Sequence, residues 1–257
     1  MKELQSVIQT PDGEMRAFVA HPATGGPFPA VVIFQNVGGL SDSLRACARR
    51  VAAAGYFCVV PDLYYRLGRI EIDPDDKADR IMAVRRAVVA GIFDAEVLKD
   101  TRSVLDFLET RPEVKPGPKG SIGYCMGGRF CIQAAELFPK HFKATVSLFG
   151  TRLVSQEPDS PRHKLDRIEG ELYVGFPEHD HAMTQEMMDE FADLVRRNCR
   201  ATHVVEFHPG TEHGFALPGR AVYHEGATER CWEHTFAMFS RQLGAEPVAA
   251  LSPNHAL

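Results

Sequence analysis

The sequence predicts a single-domain α/β fold, in which helices flank a mostly parallel, doubly wound sheet. Short apolar runs alternate with segments of helical spacing along the chain, which is the order of strand–helix–strand units. The run AVVIFQ at residues 30–35 is typical of a parallel strand that is covered on both faces. A length of 257 residues with 44% hydrophobic residues can fill one large core. We therefore expect one domain over residues 1–245, followed by a flexible tail over residues 246–257.

The predicted strands are short apolar runs separated by turn residues. They span residues 4–9, 15–21, 30–35, 56–60, 121–124, 142–149, 171–176 and 202–208. The first two are expected to form a hairpin around the turn at residues 10–13. The later strands alternate with helices, which predicts right-handed parallel crossovers.

The predicted helices carry apolar residues at helical spacing. They span residues 41–54, 76–89, 94–109, 130–137, 183–199 and 221–243. The polar stretches at residues 68–76 and 151–169 show neither pattern, so they are predicted to be irregular connections.

Composition excludes several classes of protein. A net charge of −5 and a pI near 6.1 give no electrostatic reason to expect nucleic acid or an anionic membrane as a partner. Transmembrane helices need apolar runs of about 18 residues or more, and none is present. The first residues lack the apolar core of a signal peptide. The six cysteines have no paired spacing, which favours a reduced, cytoplasmic protein over a disulfide framework or a zinc ribbon.

The chain is organised around the stretch KGSIGYCMGGRF at residues 119–130. Cys125 stands between Gly123 and Gly127, directly after a predicted strand and shortly before a predicted helix. A nucleophile on such a tight turn sits at strained backbone angles and leaves no room for side chains two residues away, so glycine is needed on both sides. The N-terminus of the helix favours the thiolate. Taken alone, the pattern is also open to a buried, unreactive cysteine.

Two later strands end in residues that can complete a catalytic triad. Asp180 follows the strand at residues 171–176, and His213 follows the strand at residues 202–208. Ligands bind beyond the carboxyl ends of parallel strands, so both side chains are expected at the same edge as Cys125. His213 would exchange a proton with the thiol, and Asp180 would orient the imidazole. The order of nucleophile, acid and histidine is that of α/β-hydrolases.

Other interpretations of these residues stay open from the sequence alone. Asp180 is also a suitable N-cap for the following helix, and His213 before a glycine is also an ordinary loop histidine. A metal site is disfavoured because neighbouring strand residues point apart and give no closed ligand set. The histidines considered for it are His179, His181, His203, His208 and His213.

Two backbone N–H groups are predicted to stabilise an oxyanion. The N–H of Met126 directly follows the nucleophile. Val37 lies in the loop after an earlier strand, where the second donor usually lies.

The chain resembles the dienelactone hydrolase family of α/β-hydrolases over about residues 5–243. The matching motifs are GYCMGG at residues 123–128, PDLYYR at 61–66, YVGFPEHD at 173–180 and PGTEHGFA at 209–216. The resemblance implies an α/β-hydrolase fold, a triad of Cys125, His213 and Asp180, and hydrolysis of an ester or lactone. It also implies no cofactor, a small-molecule substrate and a cytosolic protein that is a monomer or homodimer.

One departure from the family concerns the resting thiol. The resemblance implies a glutamate after the third strand that pairs with the thiol, and the matching position is Asn36. Asparagine carries no charge and takes no proton at neutral pH. We therefore expect Cys125 to pair directly with His213, and Asn36 to form only neutral hydrogen bonds.

A second departure concerns substrate recognition. The resemblance implies two arginines that bind a substrate carboxylate; Arg66 matches the first, and Leu217 stands where the second is expected. One arginine binds a carboxylate less well than two, so weaker selection for anionic lactones is expected. Leu217 is expected to make the pocket more apolar. Tyr64, Tyr65, Phe149 and Phe215 are predicted to line the pocket, although all four are equally suited to the core.

Three functions compete at this point. The first is hydrolysis of a small ester or lactone through an acyl-enzyme, without a cofactor. The second is a thioesterase or another acyl hydrolase on the same fold. The third is a binding protein that has kept the fold and lost turnover, for which the missing glutamate is the main argument.

Overall fold

The computed structural model describes residues 1–244. The predicted tail at residues 246–257 lies outside the described residues. The described chain forms one mixed sheet with helices on both faces, as the alternating pattern predicts.

The sheet contains eight strands in the order β1-β2-β4-β3-β5-β6-β7-β8. β1 pairs with β2 in an antiparallel hairpin, and β2 is antiparallel to β4. All the remaining neighbours are parallel. The strands are β1 (Lys2–Thr10), β2 (Gly13–His21), β3 (Ala30–Phe34), β4 (Phe57–Pro61), β5 (Lys119–Tyr124), β6 (Phe142–Leu148), β7 (Glu171–His179) and β8 (His203–Glu212).

Residues 1–244 contain six α-helices, and the buried residues of these helices divide into two clusters. One cluster includes residues of α3, α4 and α5, and the other includes residues of α1 and α6. The helices are α1 (Asp42–Ala53), α2 (Asp79–Ala90), α3 (Asp94–Glu109), α4 (Met126–Leu137), α5 (Gln185–Asn198) and α6 (Glu225–Leu243). Two short 3₁₀ turns, Pro161–His163 and Leu165–Arg167, interrupt the predicted connection at residues 151–169.

Several boundaries differ from those predicted. α4 begins at Met126, directly after the nucleophile position, because Gly127 and Gly128 belong to its first turn. β7 and β8 extend to His179 and Glu212, since the two strands stay paired beyond a bulge. α6 begins later than predicted, where the side chain of His224 accepts a hydrogen bond from the N–H of Ala227.

The parallel strands place their carboxyl ends at one edge of the sheet. The loops after β3, β5, β7 and β8 meet at this edge, and they carry the residues singled out in the sequence.

Candidate active site

Cys125 lies on a sharp turn between β5 and α4. Its backbone has φ 58° and ψ −120°, a left-handed conformation that is strained for a residue with a side chain. A Cβ atom added to Gly123 would lie 2.0 Å from the carbonyl oxygen of Gly127. A Cβ atom on Gly127 would lie 2.2 Å from the carbonyl oxygen of Phe34. The two glycines are therefore required by contact with neighbouring backbone, and the strained turn exposes the thiol at the edge of the sheet.

Hydrogen bonds hold this turn in its strained conformation. The N–H of Cys125 donates to the carbonyl of Leu148 in the adjacent strand, at 3.1 Å. The carbonyl of Cys125 accepts from the N–H groups of Gly128 and Thr151, at 2.9 and 3.2 Å. Because its backbone is fixed from both sides, the turn cannot relax, which pre-organises the sulfur.

Asp180 and His213 form a directly hydrogen-bonded pair. The Nδ1 atom of His213 lies 2.7 Å from Oδ2 of Asp180, and the aspartate side chain has no exposed surface. The other oxygen, Oδ1, accepts from the N–H groups of Ala182 and Met183. Asp180 is thus held by the loop after β7 and does not cap α5, whose N-cap is Thr184. With Nδ1 bound to the carboxylate, Nε2 is the nitrogen that is free to serve Cys125.

Cys125 and His213 change each other's protonation. Burial would raise the pKa of the Cys125 thiol, but the nearby charge of His213, a hydrogen bond from it and the N–H of Met126 lower that pKa overall. Burial would lower the pKa of His213, but the charge of Cys125 and the hydrogen bond with Asp180 raise it overall. Both shifts favour a thiolate beside an imidazolium.

Cys125 differs in this respect from the other cysteines. Burial raises the pKa of each of the other thiols, which lie in the core. They are Cys47, Cys58, Cys131, Cys199 and Cys231. Of the six cysteines, Cys125 alone combines partial exposure with a lowered pKa, which is the condition for a reactive thiol.

Aromatic rings fix the orientation of the imidazole. The ring of Phe149 packs edge-on against His213 with centroids 5.1 Å apart. The ring of His181 packs against it from another side, with centroids 4.8 Å apart. Burial and the charge of His213 lower the pKa of His181, so a neutral His181 is favoured. The sequence predicts Phe149 as a pocket wall, but the residue is fully buried and packs against the imidazole from the core.

The two predicted oxyanion donors lie on different elements. Val37 is in the loop after β3, and Met126 is the first residue of α4, directly after Cys125. Tyr64 donates its hydroxyl to the carbonyl of Val37 at 3.2 Å and contacts the sulfur of Met126 at 3.9 Å. Tyr64 is fully buried, so it supports the loop of Val37 from below and does not form a pocket wall as predicted.

Asn36 is buried beside this loop. Its Oδ1 accepts from the N–H of Gly38 at 3.0 Å, and the residue borders a cavity of about 560 Å³. Asn36 therefore shapes the loop that carries Val37 through a neutral hydrogen bond, as the sequence predicts for this side chain.

The position of Arg66 differs from the prediction that it binds substrate. Its guanidinium donates to both oxygens of the buried Asp100, at 2.7 and 2.9 Å, and to Asp12 at 2.6 Å. Carboxylates of the protein already occupy the donors that a substrate would need, so the arginine has a structural role. The motif PDLYYR did not reveal this because Asp12 and Asp100 are distant in sequence.

Two further predicted pocket residues belong to the core. Phe215 and Leu217 are fully buried in the cluster that contains α1 and α6. The ring of Phe215 packs against Phe149 and His208 and so supports the imidazole indirectly. Both side chains point inward because the loop after β8 turns back over the sheet, which the local sequence does not show.

A cavity of about 850 Å³ opens beside the imidazole. Its lining includes Asp180, His181 and His213 together with Asp75, Lys77 and Arg220, of which the last three were not predicted as functional. Ligand atoms of Asp180, His181 and His213 lie within 4.8 Å of one another, as in a metal site. However, Oδ1 and Oδ2 of Asp180 already accept hydrogen bonds, so a cation would have to displace the bond between Asp180 and His213.

Comparison with known proteins places this chain in a family. The model of the dienelactone hydrolase family matches residues 15–243. A protein of Synechocystis sp. assigned as a carboxymethylenebutenolidase is 27% identical over 90% of this chain and 93% of its own length. A similarly assigned protein of Salmonella typhi is 28% identical over 93% of this chain and 92% of its own.

A solved structure shows the same fold. The crystal structure of a protein of Klebsiella pneumoniae, assigned as a dienelactone hydrolase, superimposes with a TM-score of 0.82. The two sequences are 26% identical, and the superposition covers 93% of this chain and 98% of the Klebsiella chain. Among residues 1–244, the helices are too short or too polar to cross a bilayer. The match over nearly the whole described chain shows that this protein belongs to the dienelactone hydrolase family.

Proposed function

We propose that the protein hydrolyses small esters or lactones through a covalent acyl-enzyme on Cys125. The observation that carries this proposal is the hydrogen bond of 2.7 Å between His213 and Asp180 at the edge of the sheet where a strained turn holds Cys125. The lowered pKa of Cys125 and the raised pKa of His213 agree with it. A thiolate that is formed before substrate arrives needs no separate activation step. Family membership and the carboxymethylenebutenolidase relatives support hydrolysis of a carboxylic ester bond.

The first half of the reaction forms a thioester. The sulfur of Cys125 attacks the carbonyl carbon, and the electron pair of the C=O bond moves to the oxygen. The N–H groups of Met126 and Val37 donate to this oxyanion. When the oxyanion collapses, the bond to the leaving oxygen breaks, and Nε2 of the His213 imidazolium donates its proton to that oxygen.

The second half releases the acid. Neutral His213 accepts a proton from water, whose oxygen attacks the thioester carbon. Collapse of the second oxyanion breaks the carbon–sulfur bond and regenerates the thiolate, while the imidazolium remains beside it. Asp180 keeps the same hydrogen bond throughout and stabilises the charged ring.

We further propose that selection for carboxylate-bearing substrates is weak. Arg66 is held by carboxylates of the protein. The lining of the cavity beside His213 contains four carboxylates, those of Asp75, Glu178, Asp180 and Glu212. Its two cationic side chains are Lys77 and Arg220, and Arg220 is paired with Asp75. Such a lining gives an anion no net attraction.

The test is hydrolysis of p-nitrophenyl acetate, followed by mass spectrometry of the intact protein. Wild type should turn over and carry an acetyl group on Cys125. Cys125→Ala should lose at least about 1,000-fold in kcat, as enzymes do when a triad nucleophile is removed. Cys199→Ala, in which a core cysteine is removed, should keep its activity.

Two results would contradict the proposal. Equal activity of wild type and Cys125→Ala would remove the nucleophile from the mechanism. An acetyl burst without turnover would indicate a binding protein that is stalled as an acyl-enzyme.

A separate comparison tests the weak selection for carboxylates. The neutral ester p-nitrophenyl butyrate should be hydrolysed at least as fast as the carboxylate-bearing mono-p-nitrophenyl glutarate.

A further inference from the structure

Of the six α-helices in residues 1–244, α2 is the least buried. Eight of its twelve residues are apolar, yet only Val88 is buried. The next helix, α3, buries eight of its sixteen residues. A helix that is apolar on most of its sides is normally covered on most of its sides. The exposed side of α2 therefore has the composition of a contact surface.

Large apolar side chains are grouped around this helix. Val84 and Val89 are each 43% exposed, and Phe93, which follows the helix, is 59% exposed. Leu67 is exposed to the same degree as the two valines, and it contacts the end of α2, since a Cβ atom on Gly91 would lie 3.2 Å from its methyl groups. Single exposed apolar residues are normal, but a group around one helix indicates an interaction site.

A row of four exposed residues, which we call the outer row, runs along α2 on the side opposite the buried Val88. The outer row consists of Asp79, Ala83, Arg86 and Ala90. Their spacing of three and four positions keeps them on one side of the helix. The two alanines leave the row low enough for another helix to approach closely.

The two charged residues of the outer row have opposite signs, and their own helix offers them no partner. Within α2, the positions three and four residues away from Asp79 and from Arg86 are uncharged, so no ion pair forms along the helix. Among residues 1–244, neither side chain forms an ion pair with another element. The outer row therefore presents one free carboxylate and one free guanidinium, two helical turns apart.

A second copy of α2 matches both charges at once. In an antiparallel pair whose two-fold axis passes between Met82 and Ala83, Asp79 and Arg86 lie equally far from the axis on opposite sides. Asp79 of each copy then faces Arg86 of the other, so the same ion pair forms twice. A partner of a single charge sign would match only one of the two residues and repel the other.

We propose that the protein forms a two-fold symmetric homodimer through antiparallel contact between the outer rows of two copies. The contact brings Ala83 of both copies to the centre and covers apolar surface of α2. One helix face is small beside the roughly 800 Å² per partner that a standard stable interface buries, so the dimer has an affinity in the micromolar range. This contact is independent of the proposed hydrolysis.

The test is sedimentation velocity of the full chain between about 1 and 300 µM, where complexes of micromolar affinity dissociate. Wild type should change from monomer to dimer within this range. Asp79→Lys and Arg86→Glu should each raise the Kd of the dimer at least about 10-fold, because each substitution places two pairs of like charges at the interface.

An equal mixture of these two variants provides the rescue. In the mixed dimer, each charge of one variant faces an opposite charge of the other, so the mixture should associate with about the wild-type Kd. Lysine in place of Asp79 also loses a favourable interaction with the helix dipole. Because the mixture keeps that loss, its recovery distinguishes pairing across the interface from weakening of the helix.

Ala83→Glu tests the centre of the contact. It places two carboxylates next to the two-fold axis and should raise the Kd at least about 10-fold. The matched controls are Ala95→Glu and Lys99→Glu, which change exposed residues of α3 outside the outer row. Both controls should dimerise like wild type, and circular dichroism should show the same helix content in every variant.

Four results would each overturn the proposal. They are a wild type that stays monomeric over the whole range, a Kd that none of the three outer-row substitutions raises, a mixture that associates no better than its components, and control variants that dissociate equally. Sedimentation requires no turnover, so the contact is tested even if Cys125 proves inactive. A monomeric protein would in turn leave the proposed hydrolysis unaffected.

Discussion

Removal of His213 should convert Cys125 into an ordinary buried thiol. In wild type the charge and hydrogen bond of His213 hold the thiol pKa below its ordinary value of 9.0, against the effect of burial. In His213→Ala, burial and the charge of Asp180 still raise this pKa, and only the N–H of Met126 lowers it. Burial raises the pKa of Cys47, which lies fully in the core, to about 11. The pKa of Cys125 in the variant should therefore rise toward that of Cys47.

The expected change in reactivity follows from these limits. At pH 7 a thiol with a pKa of about 11 has a thiolate fraction about 100-fold smaller than one with a pKa of about 9. A more basic thiolate is intrinsically about 10-fold more nucleophilic over such a shift, which offsets part of the loss. The wild-type pKa lies below 9.0. If the pKa of Cys125 in the variant rises as far as that of Cys47, alkylation at pH 7 should therefore slow by about 10-fold or more.

The assay is the rate of iodoacetamide alkylation between pH 5 and pH 11, with the modified cysteine identified by mass spectrometry. His203→Ala is the matched control, because it removes an imidazole at the start of β8, at the opposite end of that strand from the site. In this control, the thiol of Cys125 should still titrate below the ordinary range of a thiol. A titration of Cys125 that is unchanged in His213→Ala would refute the proposed ion pair of thiolate and imidazolium.

Two further predictions concern the triad and the turn. Asp180→Asn should lower kcat by at least about 100-fold with little change in KM, because the ring of His213 loses its orienting carboxylate, and steady-state kinetics on a p-nitrophenyl ester will check this. Gly123→Ala should destabilise the protein by about 3 kcal/mol or more in urea unfolding, since its Cβ atom would overlap the carbonyl of Gly127. Gly226→Ala, whose Cβ atom would be no closer than 3.7 Å to its neighbours, should unfold like wild type.

Much of the fold follows from local patterns. The alternation of apolar runs and amphipathic segments predicts the order of strands and helices, and the helix and strand centres agree with the structure. Errors occur at ends, where long-range pairing decides. β8 continues to Glu212 because β7 runs beside it, a contact that local spacing does not contain.

The candidate triad was also accessible from sequence. Strained turns need glycine at fixed positions, and parallel strands bring their carboxyl ends to one edge, so Cys125, Asp180 and His213 could be chosen by position alone. The structure brings Asp180 and His213 into a direct hydrogen bond and gives His213 and Cys125 mutually shifted pKa values.

The surroundings of the triad required tertiary structure. Arg66, Tyr64 and Phe215 have the chemistry of pocket residues, yet each faces partners that are far away in sequence. Asp75 and Arg220 form an ion pair although 145 positions separate them in the sequence. Backbone geometry near a glycine or a strand end is a local property, so the sequence by itself predicts the candidate nucleophile and the order of the candidate triad. The direction and charge partners of a side chain depend on which distant segment packs beside it, so only the folded chain decided the pocket.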